Sequence, residues 1–121
     1  MKRAMMAVVS VLVGWASAHA EPPKRFVIGD EVLLDQGVVG CTWDQIKALE
    51  QIAASRDMVA YRALLGRAFA SQTCRILQPG LRVIVGKGAW ISNAVEVRVK
   101  GDPVTWWAVT GMLQEAGRKV N

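Results

Sequence analysis

The chain has 121 residues, of which 52% are hydrophobic and 21% are charged, with fifteen Lys and Arg against ten Asp and Glu. This length accommodates one domain and excludes a second of ordinary size. The composition is too apolar and too weakly charged for an intrinsically disordered chain. The formal net charge of +5 makes the chain basic.

The N-terminal segment, residues 1–20, has the organisation of a secretory signal peptide. Lys2 and Arg3 are followed by an apolar stretch, 4–16, and by Ala18-His19-Ala20, the small-x-small pattern after which signal peptidase cleaves. The alternative is an N-terminal membrane anchor, but the apolar stretch is shorter than the ~20 residues of a spanning helix. We predict that the segment is removed and that the mature protein is periplasmic or secreted, with no membrane span.

Removal of that segment leaves residues 21–121 with a formal charge of +3 and without His19, the only histidine. This charge suits an anionic wall polymer or headgroup but is too small for a nucleic-acid-binding surface. A chain without histidine lacks the usual general base and the commonest metal ligand. The sequence also contains no phosphate loop, dinucleotide fingerprint or metal-ligand spacing. We therefore predict no enzymatic activity, no cofactor, no metal and no nucleic-acid partner.

The first predicted element of the mature chain is a strand, Glu31–Leu34, which follows a Gly29-Asp30 turn signal. The nearby carboxylates Asp30, Glu31 and Asp35 are typical of a solvated turn and strand face. A two-carboxylate hydrolase would need them in one cleft.

The two cysteines, Cys41 and Cys74, are predicted to form a disulfide, because an even number of cysteines in an exported chain indicates pairing. A metal pair and a reactive thiol are the alternatives. The bond would enclose 32 intervening residues.

Two helices are predicted between the cysteines, over about 42–71. Thr42 and Gln45 have the spacing of a capping box, and apolar residues then recur three and four positions apart. Ser55-Arg56-Asp57 interrupts the pattern and supplies new N-caps. Two antiparallel helices would bring Cys41 and Cys74 together, so the helical pattern and the disulfide support each other.

The remaining chain is predicted to form strands. The sequence alternates most clearly over 94–100, where Val95, Val97 and Val99 point to one face and charged residues to the other. Before it, a Leu77–Gly80 turn leads into a strand over 81–85, which Gly86-Lys87-Gly88 ends. After it, a Gly-Asp-Pro turn leads into 104–109, and Thr110 is expected to cap a short helical turn.

The strand order, the Glu-Val-Arg-Val segment at 96–99 and the Trp106-Trp107 strand resemble the bacterial SH3-like (SH3b-type) domains of exported proteins. The resemblance covers about half of the mature chain, mainly 75–113 and 28–34. It implies an α+β fold, a small SH3-like β-barrel over 21–121. It also implies a non-catalytic role in binding peptides, glycans or wall components. The helical pair at about 42–71 departs from the family pattern as an insertion, which places a standard ligand groove in doubt.

The candidate ligand-binding residues are aromatic or cationic and belong to the predicted strands and the loop before 94: Trp90, Trp106, Trp107, Arg82, Lys87, Arg98 and Lys100. Trp106 and Trp107 must face opposite sides of a strand. One of them beside Arg98 and Lys100 would form an aromatic and cationic surface for an anionic glycan or peptide. The alternatives are that both indoles are buried in the core and that the cations form an ordinary solvated face.

Two functions are compatible with these patterns. The first is an exported binding module that recognises a cell-wall or envelope component. The second is a small secreted inhibitor or interaction factor that acts on a partner protein, for which the 86–93 loop is the expected contact.

Overall fold

The computed structural model of the protein describes residues 26–88 and 93–120, which form an α+β fold. The predicted signal peptide and Trp90 lie outside these residues. The elements follow in chain order: β1 (Glu31–Leu34), β2 (Val38–Cys41), α1 (Trp43–Ala54), α2 (Met58–Ala70), β3 (Cys74–Leu77), β4 (Arg82–Gly88), β5 (Ala94–Val99), β6 (Thr105–Val109), α3 (Thr110–Ala116) and β7 (Gly117–Val120). None of these helices is long and apolar enough to cross a membrane.

The seven strands form one antiparallel sheet in the order β3-β2-β6-β5-β4-β1-β7. The strand predicted at Glu31–Leu34 is confirmed and lies between β4 and β7. The alternating strand at 94–100 is also confirmed, and Val97 is completely buried. Strands β2, β3 and β7 were not predicted. Leu77, which was assigned to a turn, is the last residue of β3.

The main hydrophobic core lies against one face of this sheet. Residues from both ends of the strand order contribute to it, including Val38 and Leu77 at one end and Val32 and Leu34 at the other. Leu113 and Ala116 of α3 pack into the same core. Because the two ends of the strand order contact one cluster, the sheet curls around this core.

The helical pair and the disulfide form a second core on the other face. The Cys41–Cys74 disulfide is present, and its two residues are direct partners in the β2–β3 ladder. Ile46 and Leu49 of α1 and Ala68 of α2 are buried beside it. The predicted helical pair and the predicted disulfide are therefore confirmed, and the unpredicted strands β2 and β3 explain why the two cysteines meet.

The start of α1 has only one of the two hydrogen bonds of the predicted capping box. The Thr42 hydroxyl accepts a hydrogen bond from Gln45 N at 3.3 Å, as expected. The Gln45 side chain does not return the bond to Thr42. Its Oε1 accepts a hydrogen bond from the Thr73 hydroxyl at 2.9 Å, while Thr42 N donates to Thr73 O at 2.8 Å. These bonds hold the start of α1 beside the end of α2.

Two predictions about element ends are wrong. Thr110 does not cap α3: the N-cap is Val109, which offers no side-chain acceptor, and Thr110 N donates to Asn93 O at 2.7 Å. Gly86 does not end β4, which continues to Gly88 through a register shift against β5. A bulge at glycine accommodates the extra residue without ending the strand.

Candidate functional site

A charged patch on the sheet is the largest cluster of candidate site residues in the described part of the chain. It consists of seven residues from β1, β4, β5 and β6 and the turn after β5, and we call it the charged face: Glu31, Arg82, Ile84, Glu96, Arg98, Lys100 and Thr105. Its members share one side of the sheet because Glu31 pairs with Ile84, Ile84 with Arg98, and Arg98 with Thr105. The helical pair packs at the other end of the same side, near Trp107.

Glu31 connects two of the predicted cations. Its carboxylate accepts a hydrogen bond from Lys100 Nζ at 2.8 Å and one from Arg82 at 2.9 Å. The Glu31 side chain is 20% exposed, whereas the side chains of Arg82 and Lys100 are more than half exposed. The hydrogen bond from Lys100, and after it that from Arg82, holds the pKa of Glu31 below its ordinary value of 4.5. Two of the candidate ligand-binding cations are therefore already paired with one acid, and the three side chains together keep one positive charge.

The lowered pKa of Glu31 predicts an acid-dependent loss of stability. A carboxyl that titrates lower in the folded than in the unfolded chain stabilises the fold above pH 4.5. That contribution disappears as the pH falls through the folded-state pKa. We expect Glu31→Gln to melt a few degrees below the wild type at pH 7 and at the same temperature at strongly acidic pH. Circular dichroism melts across pH measure this difference.

Glu115→Gln is the matched control for Glu31→Gln, because Glu115 is exposed on α3 and forms no ion pair within 26–88 and 93–120. It should melt like the wild type at every pH. A melting difference for Glu31→Gln that stays constant with pH would contradict the assigned role of its carboxylate.

Glu96 and Arg98 are the other two charged residues of the charged face. They lie two residues apart on β5, and both are half-buried. Together with Ile84, Gly86 and Thr105 they line a depression of about 50 Å³. Neither takes part in an ion pair with any residue that the structure describes. A carboxylate and a guanidinium thus border one small depression, and each retains its capacity to pair with a ligand.

Lys87 lies at an irregular point of β4, and its predicted place beside the other three cations stays a prediction. Val85 pairs with Val97, but Gly88 pairs with Val95, so β4 contains one residue more than β5 between these pairs. Lys87 lies in that bulge and is exposed. An unbroken period of two would place residue 87 on the side of the sheet opposite Arg82, but the extra residue shifts this alternation, and residues 86 and 87 both lie across from Glu96.

Trp107 lies on the same side of the sheet as the charged face, directly across from Glu96. Its ring contacts the helical pair, and the centroids of Trp107 and Trp43 are 4.6 Å apart. Lys47 of α1 lies over the Trp43 ring, with Nζ 5.3 Å from its centroid. Trp107 is thus half-buried under α1 and borders the charged face rather than lying open within it.

Trp106 points to the opposite side of the sheet, as the strand geometry requires. It packs against the main core and next to Gly40, where a Cβ would come within 3.0 Å of the Trp106 Cβ. Arg75 of β3 covers its ring, with the guanidinium carbon 5.7 Å from the centroid. Arg75 was not among the predicted residues because β3 was not predicted.

A second depression contains mostly apolar groups. It has a volume of about 530 Å³ and lies beside the chain segment that precedes β1: Phe26, Val27, Ile28, Gly86, Gly88, Val95 and Thr110. Val27 is 61% and Ile28 73% exposed. Trp90 lies outside the described residues, so its predicted role in ligand binding stays a prediction.

No protein family, no curated protein and no solved structure matches this chain in sequence or in fold.

Proposed function

We propose that the protein is an exported, non-catalytic binding module that recognises an anionic or zwitterionic component of the cell wall or envelope through its charged face. The observation that carries the proposal is the position of Arg98. Arg98 is half-buried, lines a depression together with Thr105 and Glu96, and is not engaged by Glu31 as its two neighbouring cations are. A guanidinium held in this way binds carboxylates and phosphates by charge-assisted hydrogen bonds.

The curled sheet supports the SH3-like barrel as the frame of this module. Its seven strands are all antiparallel neighbours, and residues of both terminal parts of the strand order share one core. The Gly80 N–H also donates to Leu34 O at 2.7 Å, which ties the loop after β3 to β1. In this proposal the helical pair is an insertion between β2 and β3 that covers Trp107.

Export and a non-catalytic role rest on the sequence. The signal-like segment 1–20 and the disulfide support secretion or a periplasmic location. The absence of histidine from residues 21–121 supports binding rather than catalysis, because no side chain with an ordinary pKa near 7 is available as a general base.

Sedimentation with insoluble peptidoglycan tests the proposed function. The protein is recovered after export, with Glu21 confirmed as its first residue by mass spectrometry, and is incubated with purified peptidoglycan. We expect wild-type protein to sediment with the polymer and Arg98→Gln to remain largely in solution. Arg62→Gln is the matched control, because it removes the same charge from an exposed position of α2.

Absence of the wild-type protein from the peptidoglycan pellet would contradict the wall-binding function. Equal sedimentation of wild type and Arg98→Gln would contradict the assignment of Arg98. A circular dichroism melt of each variant separates lost binding from lost folding.

The apolar depression beside Val27 and Ile28 favours a second candidate, an inhibitor or interaction factor that acts on a partner protein. Adjacent exposed aliphatic side chains beside an apolar depression are suited to contact with a partner protein. Capture of one envelope protein, with loss of that capture in Ile28→Ser and without sedimentation on peptidoglycan, would support this candidate over the first.

A further inference from the structure

The depression between β4, β5 and β6 combines a carboxylate and a guanidinium that do not pair with each other. Glu96 and Arg98 point to the same side of β5, and alternate residues of a strand lie about 6.8 Å apart along it. No ion pair links either of them to the described residues. The two side chains thus form separate negative and positive ends of one short groove.

Two neighbours shape the ends of this groove. Gly86 makes room for the carboxylate, because a Cβ at residue 86 would come within 2.6 Å of Glu96 Oε1. At the other end, Thr105 is the direct cross-strand partner of Arg98 and adds a hydroxyl beside the guanidinium. The volume of about 50 Å³ admits a small charged group and leaves the rest of a ligand on the exposed surface.

We infer that this groove is a subsite for a zwitterion, with Glu96 binding an ammonium group and Arg98 binding a carboxylate of the same ligand. The inference rests on the proposed binding role of the charged face and specifies its ligand class. The two charges of an extended dipeptide are separated by about 5–7 Å, which is close to the backbone spacing of residues 96 and 98 along β5. The peptide portion of a wall polymer carries both amino and carboxylate groups, whereas its N-acetylated sugar chain alone carries no free amino group.

Three soluble probes test the zwitterion subsite: L-alanyl-L-alanine, its N-acetyl derivative and its C-terminal amide. Each is titrated into the exported protein, and the shifts of backbone amide resonances in β5 and β6 give the affinity. We expect the free dipeptide to bind about tenfold more tightly than either blocked form, because each blocked form loses one charge-assisted contact. Equal affinities for all three, or no binding of the free dipeptide, would overturn the inference.

Two variants assign the two ends of the groove. Glu96→Gln should bind the free and the N-acetylated dipeptide equally, and Arg98→Gln should bind the free dipeptide and the amide equally. Glu115→Gln and Arg62→Gln remove the same charges elsewhere and should keep the wild-type discrimination. Discrimination that persists in both groove variants would place the subsite elsewhere and overturn the inference.

Sedimentation with peptidoglycan and with peptide-free glycan strands separates this inference from the proposed function. Binding to the intact polymer only, weakened in both groove variants, supports the two together. Retention on both polymers that depends on Arg98 and not on Glu96 overturns the zwitterion subsite and leaves the wall-binding function in place. Discrimination among the dipeptides without retention on either polymer refutes wall binding and leaves the subsite.

Discussion

Replacement of both Cys41 and Cys74 by alanine is expected to lower the free energy of unfolding by about 3–4 kcal/mol. The disulfide closes a loop of 32 residues that contains the whole helical pair, and its loss returns that loop's freedom to the unfolded chain. Alanine keeps the site apolar, which matters because each cysteine is at most 1% exposed. For a domain of this size the melting temperature should fall by roughly 15–25 °C, as measured by calorimetry.

Reduced wild-type protein is the matched control for the disulfide, because it has the same side chains without the bond. It should melt close to the double variant. A double variant that melts within a few degrees of oxidised wild type would show that the β2–β3 ladder alone determines how the helical pair is closed.

Substitution of Gly117 by alanine is the second change with a large expected effect. Gly117 begins β7 immediately after α3, and a Cβ there would overlap the side chain of Val32 and approach Leu113 O to 3.2 Å. Val32 is completely buried and β-branched, so it has little freedom to move aside. We expect the free energy of unfolding to fall by about 2–3 kcal/mol and the melting temperature by about 10–20 °C.

Gly66 of α2 provides a control, because its substitution by alanine should raise the stability that Gly117→Ala lowers. A Cβ at Gly66 would meet nothing within 4 Å. Since alanine favours the helix interior over glycine, Gly66→Ala should stabilise the protein by about 0.5–1 kcal/mol. If Gly117→Ala melts at or above the wild-type temperature in the same calorimetric series, the close approach of β7 to Val32 is contradicted.

The elements that the sequence predicts well have strong local patterns. The helical pair has three- and four-residue apolar spacing and N-caps at Thr42 and Asp57. In strand β5, apolar and charged residues alternate from Val95 to Val99. The missed strands β2, β3 and β7 have four residues each, and β7 carries two exposed cations, as edge strands often do. Their pairing depends on distant segments, which a local pattern does not contain.

The candidate site was predictable only in part for the same reason. The period of two in β5 places Arg98 and Lys100 on one face, and the sequence indicated this. The pairing of Lys100 with Glu31 joins residues 69 positions apart, and the contact of Trp107 with Trp43 joins β6 to α1. Such partners follow from the strand order, so the pairing of Arg82 and Lys100 with Glu31 and the covered Trp107 indole became evident only from the fold.

The strand order also determines how long one strand stays unpaired while the chain folds. β1 appears first, but its two neighbours are β4 and β7, and β7 consists of Gly117–Val120. One edge of β1 stays unpaired until β4 is available, and its other edge stays unpaired until β7 is available. Pairings this distant form slowly and expose strand edges to other chains in the meantime. The edge of β1 that faces β7 is therefore open to other chains until Gly117–Val120 has paired with it.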